Sequence, residues 1–389
     1  MVSLLLGIIY LAFISLGLPD SLLGSAWPAM RLELGAPISY AGIISMIIAG
    51  GTIVSSLLSN RVLRRLGTGP VTAISVGMTA AALFGFSISG EFFQLCLWAV
   101  PYGLGAGAVD AALNNYVALH YSSRHMSWLH AFWAVGVTIS PYIMSACLSQ
   151  NLGWQKGYRS VSLIQIVLTS LLVLSLPLWK KKGNSEEEQA VGDVTLSQAV
   201  RIPGVPFVLL AFFSFCALEH TAGLWASSYL VGVRGVSPET AAQFTALFYL
   251  GEMVGRFLNG FVADRFGDRK MIRVGIFVML LGAVLVMLPV DFLALAGLLV
   301  IGLGAAPVYP CIIHSTPVSF GKENSQALVG IQMASAYCGS TFMPPLFGLL
   351  AQYAGIGLYP FYLLLFAALM LLMTEALNRK LKAKEQGKT

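Results

Sequence analysis

Charge is what this sequence has least of. Of its 389 residues only 10% are Asp, Glu, Lys or Arg, against about 25% in an ordinary soluble chain. Hydrophobic residues make up 57%, and the mean hydropathy is +0.78. A surface so poor in charge could not be kept in water. A soluble multidomain enzyme, a nucleic-acid-binding domain and a disordered chain are therefore excluded, despite the net charge of +6. Cysteine is equally uninformative: Cys96, Cys147, Cys216, Cys311 and Cys338 are odd in number, lie in apolar stretches and show neither CxxC nor metal-ligand spacing. They read as small core residues, and neither a metal nor a cofactor is expected. The N-terminus lacks the positive n-region of a cleavable signal peptide, and its apolar run outlasts an h-region, so the first segment should stay as a spanning helix. There is no Walker motif and no HExxH, and the Gly103 to Gly107 stretch lacks the strand and the P-loop Lys that phosphate binding needs. No catalytic residue is expected, and the chain is not read as an enzyme.

What the chain does have is apolar length. A spanning helix needs about 20 mostly apolar residues, and that ruler predicts twelve spans, near 4–30, 38–58, 70–90, 93–120, 127–149, 158–179, 205–231, 238–261, 271–290, 292–316, 326–353 and 357–377. None alternates apolar with polar as a barrel strand would. The expected fold is an all-α integral membrane protein with twelve transmembrane helices in two six-helix bundles. Of the 23 Lys and Arg, 18 fall on one side of this arrangement: at 61–65, at Arg124, in the 180–201 and 265–273 loops, at Lys322 and in the tail. By the positive-inside rule both termini and the middle loop face the cytoplasm of a cell-membrane protein. The basic balance is thus topological and asks for no nucleic acid partner.

The loop beginning Lys180-Lys181-Lys182-Gly183 is the one extended polar stretch. It divides an N-terminal bundle, 1–179, from a C-terminal bundle with a basic tail, 205–389, through a linker at 180–204. The halves repeat. At an offset of 200, Gly35, Ala41, Gly51, Leu58, Arg65 and Gly67 fall on Gly235, Ala241, Gly251, Leu258, Arg265 and Gly267; Gly103-Leu104-Gly105-Ala106 recurs as Gly302-Leu303-Gly304-Ala305, and Gly136 with Pro141 recurs as Gly339 with Pro344. Parallel duplicated halves are the plan of alternating-access transporters, with the solute site between them near the midplane.

Ionisable groups inside spans are costly and usually face a partner or a water-filled cavity. The acidic ones are Asp20, Asp110, Glu219 and Glu252. Asp20 follows Pro19, whose missing N–H predicts a local helix break, and Gly24 and Trp27 would share its face one and two turns on. That places a carboxyl beside a flat aromatic, suited to proton coupling with stacking on a sugar ring; the structural alternative is a carboxylate capping a kink. Asp110 has Asn114 one turn ahead and Asn115 next to it. A buried carboxyl can carry a proton and an Asn can both donate to and accept from hydroxyls, although a polar pair tying helices together would look the same. His130, Trp133, Val137 and Ser140 share one face of the fifth span, where Trp133 could wall a cavity and His130 could either touch substrate or tie helices. In the second half His220 overlays Asp20, and with Glu219 it could relay protons. Tyr309 and His314 overlay Asp110 and Asn115, and Gln332 offers a hydroxyl ligand. Glu252 and Arg256, at i and i+4, read as an ion pair, set with Asp264 and Arg265 at a cytoplasmic gate.

Two motifs point to a family. Gly260-Phe261-Val262-Ala263-Asp264-Arg265-Phe266-Gly267-Asp268-Arg269-Lys270 resembles the signature loop G-x-x-x-D-R-x-G-R-[KR] of the major facilitator superfamily, with Asp268 as an extra residue; the first-half copy has Arg64 in place of the acid. Asp110 four before Asn114, an Asp in the first span, and Leu129-His130-Ala131-Phe132-Trp133-Ala134-Val135-Gly136 with Pro141 resemble the fucose–galactose–glucose proton symporter family. That family has Glu at the position of Asp110, Pro at that of Asn115 and Gly at that of Ala134. The resemblance implies proton-driven hexose uptake, with Asp20 and Asp110 at the family's acidic positions. The expected partners are a small solute, protons and the lipid bilayer, and the expected state is a monomer. A proton-driven efflux antiporter and a membrane sensor that does not transport are the alternatives.

Overall fold

The computed structural model describes residues 2–120, 123–179 and 201–386. Among them there are fourteen α-helices and no strand: α1 Val2–Asp20, α2 Leu22–Glu33, α3 Tyr40–Leu66, α4 Thr68–Ile88, α5 Phe92–His120, α6 Ser123–Ser149, α7 Gly153–Leu174, α8 Val205–Arg234, α9 Pro238–Phe266, α10 Asp268–Met287, α11 Asp291–Ala305, α12 Val308–Phe320, α13 Lys322–Ala354 and α14 Tyr359–Gln386. Nine helical stretches among the described residues are long and apolar enough to cross a membrane, two of them running through α1–α2 and α11–α12 as single spans. That is consistent with twelve spans. Helix α3 contributes a shorter apolar run, Tyr40–Ser56, and polar residues such as Glu252 and Arg256 in α9 and Gln332 and Gln352 in α13 thin the apolar runs of those two helices.

The break expected at Pro19 is present, and its chemistry can be followed bond by bond. Proline has no N–H to give the carbonyl one turn back, so the Ser15 carbonyl accepts instead from the buried Gln165 side chain, and the Leu18 carbonyl accepts from the Ser140 hydroxyl. The Ser21 hydroxyl donates to the Val137 carbonyl at 2.7 Å. Neighbouring helices thus satisfy the interrupted backbone, as a membrane interior requires. The tenth expected span is interrupted too, at Ala306-Pro307 between α11 and α12. The sixth begins and ends earlier than expected: Gly153 turns in with φ +78° and the helix runs to Leu174. Its first turn is fixed by Trp154 and Gln155, which both donate to Glu33.

Two compact units divide the chain. The first comprises Met1–Gly183, Gly223–Leu250 and Pro345–Gly357; the second comprises Asn184–Ala222, Gly251–Pro344 and Leu358–Thr389. In the first, α1 packs on α6, α3 on α5, and α4 on both α5 and α7. Glycine lets these backbones approach: a Cβ on Gly17 would lie 2.2 Å from the Trp133 carbonyl oxygen, and one on Gly103 2.2 Å from that of Ile48. Also inside this unit, Gly24 abuts the Gly223 carbonyl, Gly42 abuts Pro345, and the Ser39 hydroxyl donates to Gln352. In the second unit α10 packs on α11, α12 and α14, and Arg273 holds Glu375 through Nε at 2.6 Å and Nη2 at 2.9 Å.

The sequence repeat has a structural counterpart inside each unit. Gly136 packs on the Ile14 carbonyl of α1, and Gly339 packs on the Phe213 carbonyl of α8; Gly51 packs on Gly103, and Gly251 on the Leu299 carbonyl. Gly67 and Gly267 both turn with φ +80°. The repeated glycines are therefore those at which two backbones nearly touch or the chain must turn left-handed.

Candidate functional site

Asp20 is the last residue of α1, and its side chain is solvent-accessible although it lies within the Leu4–Glu33 span. Two neutral donors from other helices hold it: the Tyr102 hydroxyl of α5 reaches Oδ1 at 3.1 Å, and the Trp133 indole N–H of α6 reaches Oδ2 at 2.9 Å. Among the described residues each carboxylate oxygen thus has one hydrogen-bond donor and no counter-charge. Asp110, on the same helix as Tyr102, is close enough for its charge to act on Asp20. Its Oδ1 accepts from Asn114 Nδ2 at 2.8 Å, and that amide also reaches the Asp110 carbonyl at 3.0 Å. A site with two carboxyls, only neutral donors and access to solvent can take up and release protons and can hydrogen-bond a polyol.

The structure gathers Asp20, Asp110, Asn114 and Trp133 into this region and leaves others out of it. Trp27 is fully buried, and its indole N–H donates to the Ile38 carbonyl at 2.9 Å. Counting two turns on from Asp20 assumes an unbroken helix, and the break at Ser21 resets the register. His130 stands edge-on to Phe13 with ring centroids 5.7 Å apart. The Asn115 side chain lies outside the described residues. Tyr102 is the residue that sequence reasoning missed. A phenol in an apolar helix looks like core, and the available signal was its place about two turns before Asp110, near the same face.

A second cluster forms in the other unit. Arg256 of α9 pairs within its helix with Glu252 and across to Glu219 of α8 at 3.4 Å. His220 Nδ1 lies 3.8 Å from the other Glu219 oxygen and 3.1 Å from the Cys216 carbonyl. Glu252 is completely buried, whereas the His220 side chain is 52% exposed. Glu252 and Arg256, expected at a gate, are thus joined to Glu219 and His220, expected to move protons. Arg265 is exposed, with its guanidinium 6.0 Å from the Phe266 ring centre, and the Asp264 side chain lies outside the described residues.

The remaining candidates have contacts of their own. Tyr309 packs against Phe212 and donates to the Met333 sulfur at 3.1 Å. Gln332 is buried and accepts from the Thr316 hydroxyl at 3.0 Å. His314 pairs with Asp268 at 2.8 Å. The extra residue of the signature loop is what this histidine touches. No group of three or more His, Cys, Asp or Glu among the described residues could hold a metal ion.

Comparison with known proteins gives three findings. A sequence model described as Major Facilitator Superfamily matches residues 9–245 and 207–388. A glucose/galactose transporter of Brucella abortus is 24% identical over 331 residues, covering 81% of this chain and 80% of that protein, and a probable nitrate/nitrite antiporter of Thermus thermophilus is 24% identical over 397 residues, covering 92% and 87%. The solved structure of a D-xylose–proton symporter superposes with a TM-score of 0.77 at 14% identity, covering 96% of each chain, which is a likeness of fold.

Proposed function

The chain belongs to the major facilitator superfamily, a multi-pass membrane transporter and not an enzyme, and on that premise we propose that it takes up a hexose or related small carbohydrate together with protons by alternating access. The observation that carries this reading is Asp20, a carboxyl at a helix break inside a span, open to solvent and held by the neutral donors Tyr102 and Trp133. Protonation changes such a group from an acceptor alone to a donor and acceptor. It thereby alters both what Asp20 can bind and how strongly its donors hold it. Only a difference of that kind between conformations can drive a switch. Asp110 with Asn114 extends the site with a second carboxyl and an amide suited to sugar hydroxyls, and Asn115 and His130 are further candidates for solute contact. Glu219 and His220 serve proton movement in the second unit, and Tyr309 and Gln332 remain candidates for solute contact. The glucose/galactose transporter and the D-xylose–proton symporter among its relatives support the solute class.

In this reading the chain works as a monomer of two six-helix bundles, 1–179 and 205–389, with both termini and the 180–204 linker in the cytoplasm, supported by the clustering of Lys and Arg. The test is reconstitution in liposomes with labelled glucose, galactose and other sugars. An inward proton gradient should accelerate uptake, and Asp110→Asn should abolish accumulation while leaving exchange intact. Absence of gradient-stimulated uptake of every carbohydrate would remove the symport reading.

A further inference from the structure

Glu219, Glu252 and Arg256 set two carboxyls against one guanidinium. Arg256 reaches one oxygen of each. The second oxygen of Glu252, Oε2, is buried and receives no hydrogen bond, and the Glu219 carboxyl is within hydrogen-bonding reach of Glu252. Ionised carboxylates only accept, so two of them placed together, one fully buried and the other 11% exposed, repel and leave an oxygen unsatisfied. With both ionised the trio would also carry a net negative charge, whose cost falls on the fully buried Glu252. One proton removes both defects: on Glu252 it gives the pair a donor that the neighbouring Glu219 carboxyl can accept, and it balances the charge.

We propose that Glu252 is the seat of a second transported proton, shared with Glu219, balanced by Arg256 and distinct from the proton on the Asp20 and Asp110 pair. The surroundings supply its route. Helix α8 brings Cys216, Glu219 and His220 to this cluster, and α9 brings Arg256; Tyr249, one turn before Glu252, turns its hydroxyl toward Gly223. The stretch of α11 that passes Gly251 and Gly255, Leu299 to Leu303, carries no titratable side chain. His220, half exposed and adjacent to Glu219, is the group through which the proton arrives from water. It moves as a proton between oxygen and nitrogen lone pairs, with no other bond made or broken. The transport consequence rests on the symport reading above; the presence of the proton does not.

The test therefore has two arms on the full chain in lipid. In the first, infrared spectra are taken of Asp20→Asn/Asp110→Asn protein at about pH 7, where exposed carboxyls are ionised. A protonated carboxyl C=O band is expected to remain and to vanish on further Glu252→Gln. Absence of the band before that change, or its persistence after it, overturns the proposal. Should Glu252→Gln not fold, Glu219→Gln, which spares the Glu252–Arg256 pair, is expected to displace the band by changing its hydrogen-bond acceptor; an unmoved band overturns the sharing. In the second arm each coupled proton multiplies the limiting accumulation by one factor of the gradient. At zero membrane potential and a tenfold inward gradient, Glu252→Gln should lower galactose accumulation from about 100-fold to about 10-fold. Equal accumulation in both proteins overturns the transport role. If wild-type protein shows no proton-driven uptake while the infrared band is present, it is the symport reading that fails.

Discussion

Gly17→Ala tests whether the packing of α1 on α6 sets the strength of the site. Gly17 stands one turn before Asp20, and an added Cβ would meet the Trp133 carbonyl oxygen at 2.2 Å and the Val137 nitrogen at 3.0 Å, both backbone atoms that cannot rotate away. To reach 3.4 Å, where ordinary contact begins, the helices must part by about 1.2 Å at that level. The indole of the same Trp133 donates to Asp20 at 2.9 Å, so the parting stretches that bond to about 4 Å, beyond hydrogen-bond range. Overpacking of this kind costs about 1–3 kcal/mol of stability. Losing a hydrogen bond to a charged group costs about 1.5–3 kcal/mol, and that loss weighs most on the ionised form. At about 1.4 kcal/mol per factor of ten, initial galactose uptake under a fixed proton gradient should fall about tenfold to a hundredfold, with a lower melting temperature. The control is Gly7→Ala on the same helix, where nothing lies within 4 Å of the added carbon, and uptake should not change. Wild-type uptake by Gly17→Ala, or an equal loss by Gly7→Ala, refutes the reasoning.

Tyr102→Phe and Trp133→Phe each remove one of the two donors to Asp20; each should reduce proton-driven uptake about tenfold, and uptake unchanged in both would show that Asp20 works without them. Trp27→Phe removes the bond to the Ile38 carbonyl and part of a fully buried indole, so it should cost about 1–3 kcal/mol of stability in a thermal melt and leave galactose counterflow affinity intact; a weakened affinity at full stability would return Trp27 to the solute site. His314→Gln breaks a pair that is open to solvent, with the His314 side chain 79% exposed, and should leave sugar selectivity and melting temperature unchanged. A changed selectivity would make His314 a solute ligand.

The parts of this molecule that could be read in advance are those fixed by local chemistry. Pro19 lacks an N–H wherever it sits, so the break beside Asp20 follows from the sequence, and Glu252 with Arg256 at i and i+4 on one helix face need only helical geometry. The glycines matched at offsets near 200 were legible because close backbone approach admits only glycine. What was not legible depends on partners distant in the chain. The donors to Asp20 come from 82 and 113 positions away. The link from Arg256 to Glu219 spans 37. Trp27 was counted onto the face of Asp20 through the break that Pro19 itself predicts. His314 was drawn to the midplane by its overlay on Asn115, whereas the residue inserted in the signature loop, Asp268, had no counterpart in the repeat to warn of a competing partner.

The interrupted first span bears on how the protein is made. Tyr102, Trp133, Gln165 and Ser140 all follow α1 in the chain, so when this segment leaves the ribosome none of the groups that complete it has been synthesised. An acidic residue in mid-bilayer costs about 2.5–3.5 kcal/mol at insertion, and the break adds carbonyls without donors. The apolar run from Leu4 to Leu18 must offset that cost alone until α5, α6 and α7 arrive. A lesion in Gln165 or Ser140 would then act first on biogenesis, leaving the opening segment incompletely seated and the nascent chain exposed to quality-control proteolysis before any solute is met.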